Sequence, residues 1–252
     1  MKQKTITFSL LLFFMAYACS MSDNGKGDRY ASGDGGTGQG GSMAGFTIIG
    51  DHLYTIGSSN HLKVADISEP ANPEFKKVFS PGIGIETVFP RGNQLFIGSQ
   101  TGMFIYDATD GENPQLLSVY QHIYSCDPVV ADDRFAYITL NSVWGNCGQN
   151  SNELQIVDIS DLKNPKMIFS KDMNSPRGLS IQNDTLVICD NGLKVFKVSE
   201  DRKNINLIND FNIKATDVIS LGNNWLVIGD DGFYQYQIKN NEIKLLSSIL
   251  KD

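Results

Sequence analysis

The chain has 252 residues, 41% hydrophobic and 19% charged, which describes a folded globular protein and excludes a disordered one. Its net charge of -7 excludes a nucleic-acid partner, because phosphates require clustered Lys and Arg and no such cluster occurs. Mild acidity of this kind reads as solubility rather than an attraction to cations.

The chain opens on a targeting signal. Lys2 and Lys4 give a positive end, and the largely apolar run Ile6 to Ala18 follows, closed by Ala16-Tyr17-Ala18-Cys19. That run is too short to cross a bilayer core of roughly 30 Å as a helix, but it suits the core of a signal peptide. Small residues before a Cys resemble a bacterial lipobox, in which the Cys is acylated and becomes N-terminal. Ala16 stands where the common pattern has Leu. Residues 1–18 are therefore expected to be a lipoprotein signal peptide and Cys19 the lipid attachment. The alternative is ordinary secretory cleavage with Cys19 incidental. Residues 19–42 carry almost no apolar side chains and are expected to form a flexible tether. The tether holds GDGGTG from Gly33, a formal match to a dinucleotide fingerprint. No strand precedes it and no helix follows, so no cofactor is expected there.

From residue 43 the chain repeats. HLKVADIS (His61), GMFIYDAT (Gly102), ELQIVDIS (Glu153), GLKVFKVS (Gly192) and GFYQYQIK (Gly232) align at intervals of 41, 51, 39 and 40. Each has the period-two alternation of a strand. A second strand lies upstream each time: LYTIG, LFIGS, FAYIT, LVICD and LVIGD. A first strand precedes that, and a fourth follows, after Asn-Pro turns at Asn72, Asn113 and Asn164. Four short strands per forty residues predict a β-propeller blade. Residues 43–252 are thus expected to be an all-β, five-bladed β-propeller of four-stranded antiparallel blades, the first strand of each lining the axis.

VADIS-EPANP and IVDIS-DLKNP resemble the LVIVD repeat, a β-propeller repeat of exported Gram-negative bacterial proteins, lipoproteins among them. The resemblance implies fold and an outer-membrane, periplasmic or surface location. The family has no well-established activity, so it implies no chemistry. Lys197 and Gln237 replace the repeat's Asp in the last two units; Asp66, Asp107 and Asp158 read as turn-side hydrogen-bond acceptors.

The interval of 51 reflects an insertion, Asn141 to Asn152, that carries Trp144 and Cys147. In an oxidising compartment, Cys126 and Cys147 are expected to form a disulfide stapling this loop to its blade, the alternative being two unpaired thiols. Trp144 is a candidate binding aromatic, the alternative being packing over the blade. Cys189 reads as a small buried hydrophobe.

Only His52, His61 and His122 are present, with no metal-helix spacing, and the histidines at 52 and 61 read as solvated turn residues. No nucleophile elbow or phosphate loop occurs. Nine residues before the second-strand anchors Leu95, Leu186 and Leu226 stand Glu86, Arg177 and Asp217; Asp127 lies eight before Phe135. These charges are expected either to ring one channel mouth as a ligand site or to serve as strand-start hydrogen-bonding devices. No catalytic residue, metal or cofactor is assigned. The expected function is a non-enzymatic, membrane-tethered module that binds a protein or glycan at the cell envelope. The alternatives are a lyase or hydrolase using the channel-mouth carboxylates, and a structural envelope subunit.

Overall fold

A computed structural model describes residues 40–57, 60–122, 128–142, 151–239 and 242–251. Among them are twenty strands and no helix, arranged as five sheets of four consecutive antiparallel strands. Blade one is β1 (Phe46–Ile49), β2 (His52–Ile56), β3 (Leu62–Asp66) and β4 (Glu74–Phe79). Blade two is β5 (Ile85–Arg91), β6 (Gln94–Ser99), β7 (Gly102–Asp107) and β8 (Gln115–Gln121). Blade three is β9 (Val129–Ala131), β10 (Phe135–Leu140), β11 (Glu153–Asp158) and β12 (Lys166–Asp172). Blade four is β13 (Pro176–Gln182), β14 (Thr185–Asp190), β15 (Leu193–Val198) and β16 (Ile205–Phe211). Blade five is β17 (Ala215–Leu221), β18 (Asn224–Gly229), β19 (Gly232–Lys239) and β20 (Glu242–Leu250). The fold is the five-bladed propeller the repeat predicts. Its first strands β1, β5, β9, β13 and β17 are innermost, each of the first four beside the next. Every blade is built from its own consecutive strands, so no strand is exchanged to close the ring.

The repeated residues have repeated jobs. Asp66, Asp107 and Asp158 each accept the backbone N–H two residues on, from Ser68, Thr109 and Ser160, at 2.8, 2.8 and 2.9 Å. These bonds turn the chain out of the third strand. In two blades a second turn follows at once: Asp110 and Asp161 accept from Asn113 and Asn164, and the Pro after each Asn leads into the fourth strand. Gly102, Gly192 and Gly232, at φ 156, 150 and 152°, open the third strands, where a Cβ would press on a fourth-strand carbonyl. Without the Asp, blade four substitutes an ion pair: Lys197 Nζ lies 2.5 Å from Asp184 Oδ2.

The core lies between blades, not within them. Four apolar clusters fill the seams one–two, two–three, three–four and four–five. The last joins Val187, Cys189, Leu193 and Val195 of blade four to Val218, Trp225, Val227 and Tyr236 of blade five. Cys189 is fully buried and free, the small hydrophobe the sequence suggests. Among the described residues no such cluster forms between blades five and one. Val88, Leu179 and Val218 face the preceding blade and are 0–1% exposed; Phe46, at the same repeat position in blade one, is 60% exposed. The sequence explains it. Thr55 and Ala65 stand where blade two has Ile97 and Tyr106, and Gln235 stands where blades two and four have Ile105 and Val195. The closing seam is thinned and made polar.

The thinning gives a direct test. Leu179→Ala is expected to cost about 2–5 kcal/mol, as for a buried Leu in a packed seam. Phe46→Ala, at the equivalent position, is expected to cost less than about 1 kcal/mol. Urea unfolding midpoints of the two variants check the difference.

Candidate functional site

The end of the chain's first segment reaches the propeller axis. Gly41 and Ser42, expected as the last residues of a flexible tether, are buried, with Ser42 1% exposed. The Ser42 hydroxyl donates to Asp217 Oδ1 at 3.0 Å and accepts the Leu179 N–H at 2.8 Å. Ala44 O accepts the Val88 N–H at 2.9 Å, and Gly45 O accepts from Ile56. One short segment thus bonds blades one, two, four and five. Its physical reason is the inner strands' free edges, whose N–H groups have no strand partner on the axial side and take these acceptors instead. The propeller therefore begins at least as early as Gly41 rather than at residue 43.

Asp217 is the centre of this arrangement. Its carboxylate accepts Val218 N–H at 2.9 Å as well as Ser42, and also a bond from the Met43 N–H. A Cβ on Gly41 or Gly178 would overlap its oxygens, so both glycines leave room for it. Burial pushes its pKa up to about 6, and the three donors offset that only in part. Beside it, at the seam between β1 and β17, lies a cavity of about 260 Å3. Phe46 and Ile48 form one wall, Asp217 and Ile219 the other, and Gly40, Gly41 and Met43 close it on the chain's entry side. Among the described residues, Asp217 is the one charged member of its walls.

The expected ring of charges is not a single register. The strand pairs Val88↔Ile97, Leu179↔Ile188 and Val218↔Val227 are equivalent. Trp225, not Leu226, is therefore the counterpart of Leu95 and Leu186. Glu86 and Arg177 share one bulged position, whose blade-five counterpart is Thr216; Asp217 is one residue on and takes the place of Thr87 and Gly178. The Asp217 carboxylate lies at the axis, against Gly178 of blade four and Gly41 and Ser42 of the entering segment, and from there lines the cavity shared with Phe46 and Ile48. Glu86 instead accepts from Gln100 Nε2 of its own blade at 3.3 Å, and Arg177 Nη1 lies 3.7 Å from Asp230 Oδ2 in blade five. Asp127, Trp144, Cys126, Cys147 and Cys19 lie outside the described residues.

Two further groupings were missed by sequence reasoning. A larger cavity, about 450 Å3, is lined by Arg91, Asp132, Asp133, Arg134, Phe135 and Arg202, among others. Most of its charges are already engaged. Arg91 pairs with Asp133, and Arg202 donates to the Tyr137 hydroxyl at 2.6 Å and to Asn183 O at 2.9 Å while stacking near Phe135. The second grouping is His52, Asp66 and Glu112, whose ligand atoms lie within 4.8 Å of one another. Lys76 supplies a cation there, 3.4 Å from Asp66, 3.3 Å from Glu112 and 3.0 Å from Glu74. His52 is not the solvated turn residue expected: it starts β2, packs against Gly111, and its Nε2 is buried. Asp66, held by Ser68 and Lys76, drops to a pKa of about 2.

The LVIVD repeat model matches residues 40–80 and 147–172, within blades one and three. No curated protein matches the chain by sequence. Solved structures share the fold at low identity. The periplasmic gluconolactonase of Pseudomonas aeruginosa is 15% identical with a TM-score of 0.61, over 80% of this chain and 68% of that one. A 6-phosphogluconolactonase-like protein from Bacteroides uniformis is 12% identical with a TM-score of 0.66, over 82% and 70%. AztD of Citrobacter koseri is 10% identical with a TM-score of 0.57, over 78% of this chain and 58% of its own length. The expectation of a non-enzymatic module is corrected by these neighbours: two bear lactonase names on this fold, so few histidines and no nucleophile elbow do not argue against catalysis.

The raised pKa of Asp217 sets a pH test. The folded protein holds the proton that the unfolded chain releases between the ordinary carboxylate range and about 6. Its contribution to stability is therefore full below about pH 4 and lost as pH rises through 6. Asp217→Asn is expected to leave the melting temperature unchanged at pH 4 and to raise it at pH 7.5. Calorimetric scans at the two pH values read this out; an unchanged difference between them would overturn it.

Proposed function

We propose that the protein is exported, anchored by a lipid on Cys19, and works at the cell envelope by holding a small molecule in the seam pocket beside Asp217. The observation that carries the reading is the pocket itself: apolar walls around a single half-buried carboxylate whose pKa is displaced toward neutrality. The signal-like start, the LVIVD match and one neighbour that is periplasmic by name support the envelope location. An outer-membrane attachment and a protein or glycan partner at the Trp144 loop complete the proposal.

A second reading, hydrolysis of a small lactone, has its own support in Asp217. A carboxylate with a pKa near 6 is suited to act as general base at neutral pH. It would take a proton from water as the water oxygen bonds to the lactone carbonyl carbon. The ring C–O bond then breaks, and the departing alkoxide takes the proton back.

Methyl NMR separates the outcomes. Small-molecule fragments are expected to shift the Ile48 and Ile219 methyls; shifts confined to Ile181 in the larger cavity would overturn the seam assignment. Lactone turnover that falls about 100-fold or more in Asp217→Asn supports the hydrolase reading, and unchanged turnover removes it. Cys19→Ala is expected to release the protein from membranes in fractionated cells.

A further inference from the structure

We infer that the seam pocket takes a small monocation with a compact apolar body, an alkylammonium seated on Asp217. This rests on the reading of the seam as a small-molecule site and names the ligand's chemistry. The walls supply five apolar side chains, Met43, Ala44, Phe46, Ile48 and Ile219, together with Thr47 and one carboxylate. Among the described residues no cationic side chain lines the cavity. Asp217 is held only by neutral donors: the Ser42 hydroxyl and the N–H groups of Met43 and Val218. They place the carboxylate and stiffen it, yet none of the described residues supplies its charge with a counter-ion, and a desolvated charge gains most from one.

The charged and titratable groups on adjoining elements do not fill that role. Arg177, in the neighbouring β13, is drawn to Asp230. Lys63, on the facing side of blade one, lies against Gly57 and does not line the pocket. The buried Cys189 thiol has its own pKa pushed up by burial first and by Asp217 second, so it stays neutral. The cavity, about 260 Å3, is smaller than the roughly 300–1,000 Å3 typical of drug-sized ligands, which limits the body to a few carbons. Phe46 at 60% exposure is the open side, where the ligand would cover it. The same face explains why the seam is thin. A fully packed fifth cluster would bury Asp217 behind apolar side chains with no counter-charge.

The test uses three matched probes, cyclohexylammonium, cyclohexanol and cyclohexanecarboxylate, titrated into the purified protein while the Ile48 and Ile219 methyls are followed by NMR. At pH 7.5 the ammonium is expected to bind about tenfold or more tightly than the alcohol, the increment of a charge-assisted contact. At pH 5 protonation removes most of the carboxylate charge, and the preference is expected to fall about tenfold. Asp217→Asn is expected to abolish the preference at pH 7.5, and the pH arm gives the same readout if that variant folds poorly. Alcohol or carboxylate binding as tightly as ammonium, or a preference that survives at pH 5, overturns the cation assignment and leaves the pocket standing. If none of the three moves those methyls, the small-molecule reading of the seam falls as well.

Discussion

Blades two, three and four are sheets with two apolar faces, blades one and five have one each, and a sheet four strands wide cannot hide such a face by itself. Face-to-face burial between successive blades is the constraint on which the rest depends. Four seams meet it with clusters whose members are mostly 0–5% exposed. The fifth does not. Because blade one's facing side carries Thr55, Lys63 and Ala65 in place of larger apolar residues, and blade five's carries Asp217, Gln235 and Gln237, this seam has little to gain by closing tightly. The repeat thereby turns one structural interface into a cavity, and the cavity coincides with Asp217, whose pKa moves toward neutrality.

Most of the architecture was legible in the sequence because it is written five times. A residue with a repeated local job, such as Asp107 accepting from Thr109 two residues later, leaves a signal at fixed spacing. The blade count, strand order and Asn-Pro turns follow from such local signals. The register of blade five was misread by one residue for an equally physical reason. Trp225-Leu226-Val227 offers two plausible large apolar anchors, and only the strand pairing shows that the Trp packs on blade four while Leu226 faces the thin seam. A one-residue slip moves a side chain to the opposite face. It also put Asp217 in register with Glu86 and Arg177, from which the structure separates it.

The site was legible only in part. Asp217 was singled out, but for membership of a ring of charges it does not join. Ser42 was passed over as linker, since nothing local distinguishes it from the other small polar residues around it. Its bonds reach Asp217 and Leu179, 175 and 137 residues away in the chain. Contacts of that separation leave no periodicity to read. The pocket walls Phe46, Ile48 and Ile219 look like ordinary strand residues in sequence, and only their exposure marks them. The three residues that replace bulky apolar ones in blade one were visible all along, yet they carry meaning only against the equivalent positions of the other blades.

The junction between tether and propeller carries two duties at once. In a ring of blades the inner strand is a sheet edge, and its axial N–H groups are left without ladder partners. Ala44 O and the Ser42 hydroxyl satisfy two of them, on Val88 and Leu179, from a segment that belongs to no strand. The same hydroxyl fixes Asp217. The residues that lead toward the chain's start are therefore also the support of the carboxylate and one wall of the cavity. A ligand in the seam touches the fold exactly where the chain leaves it, through Gly41 and Met43, while the four packed seams on the far side keep the blades' mutual angles fixed. The thin seam lets the ring hold a cavity without breaking an apolar interface.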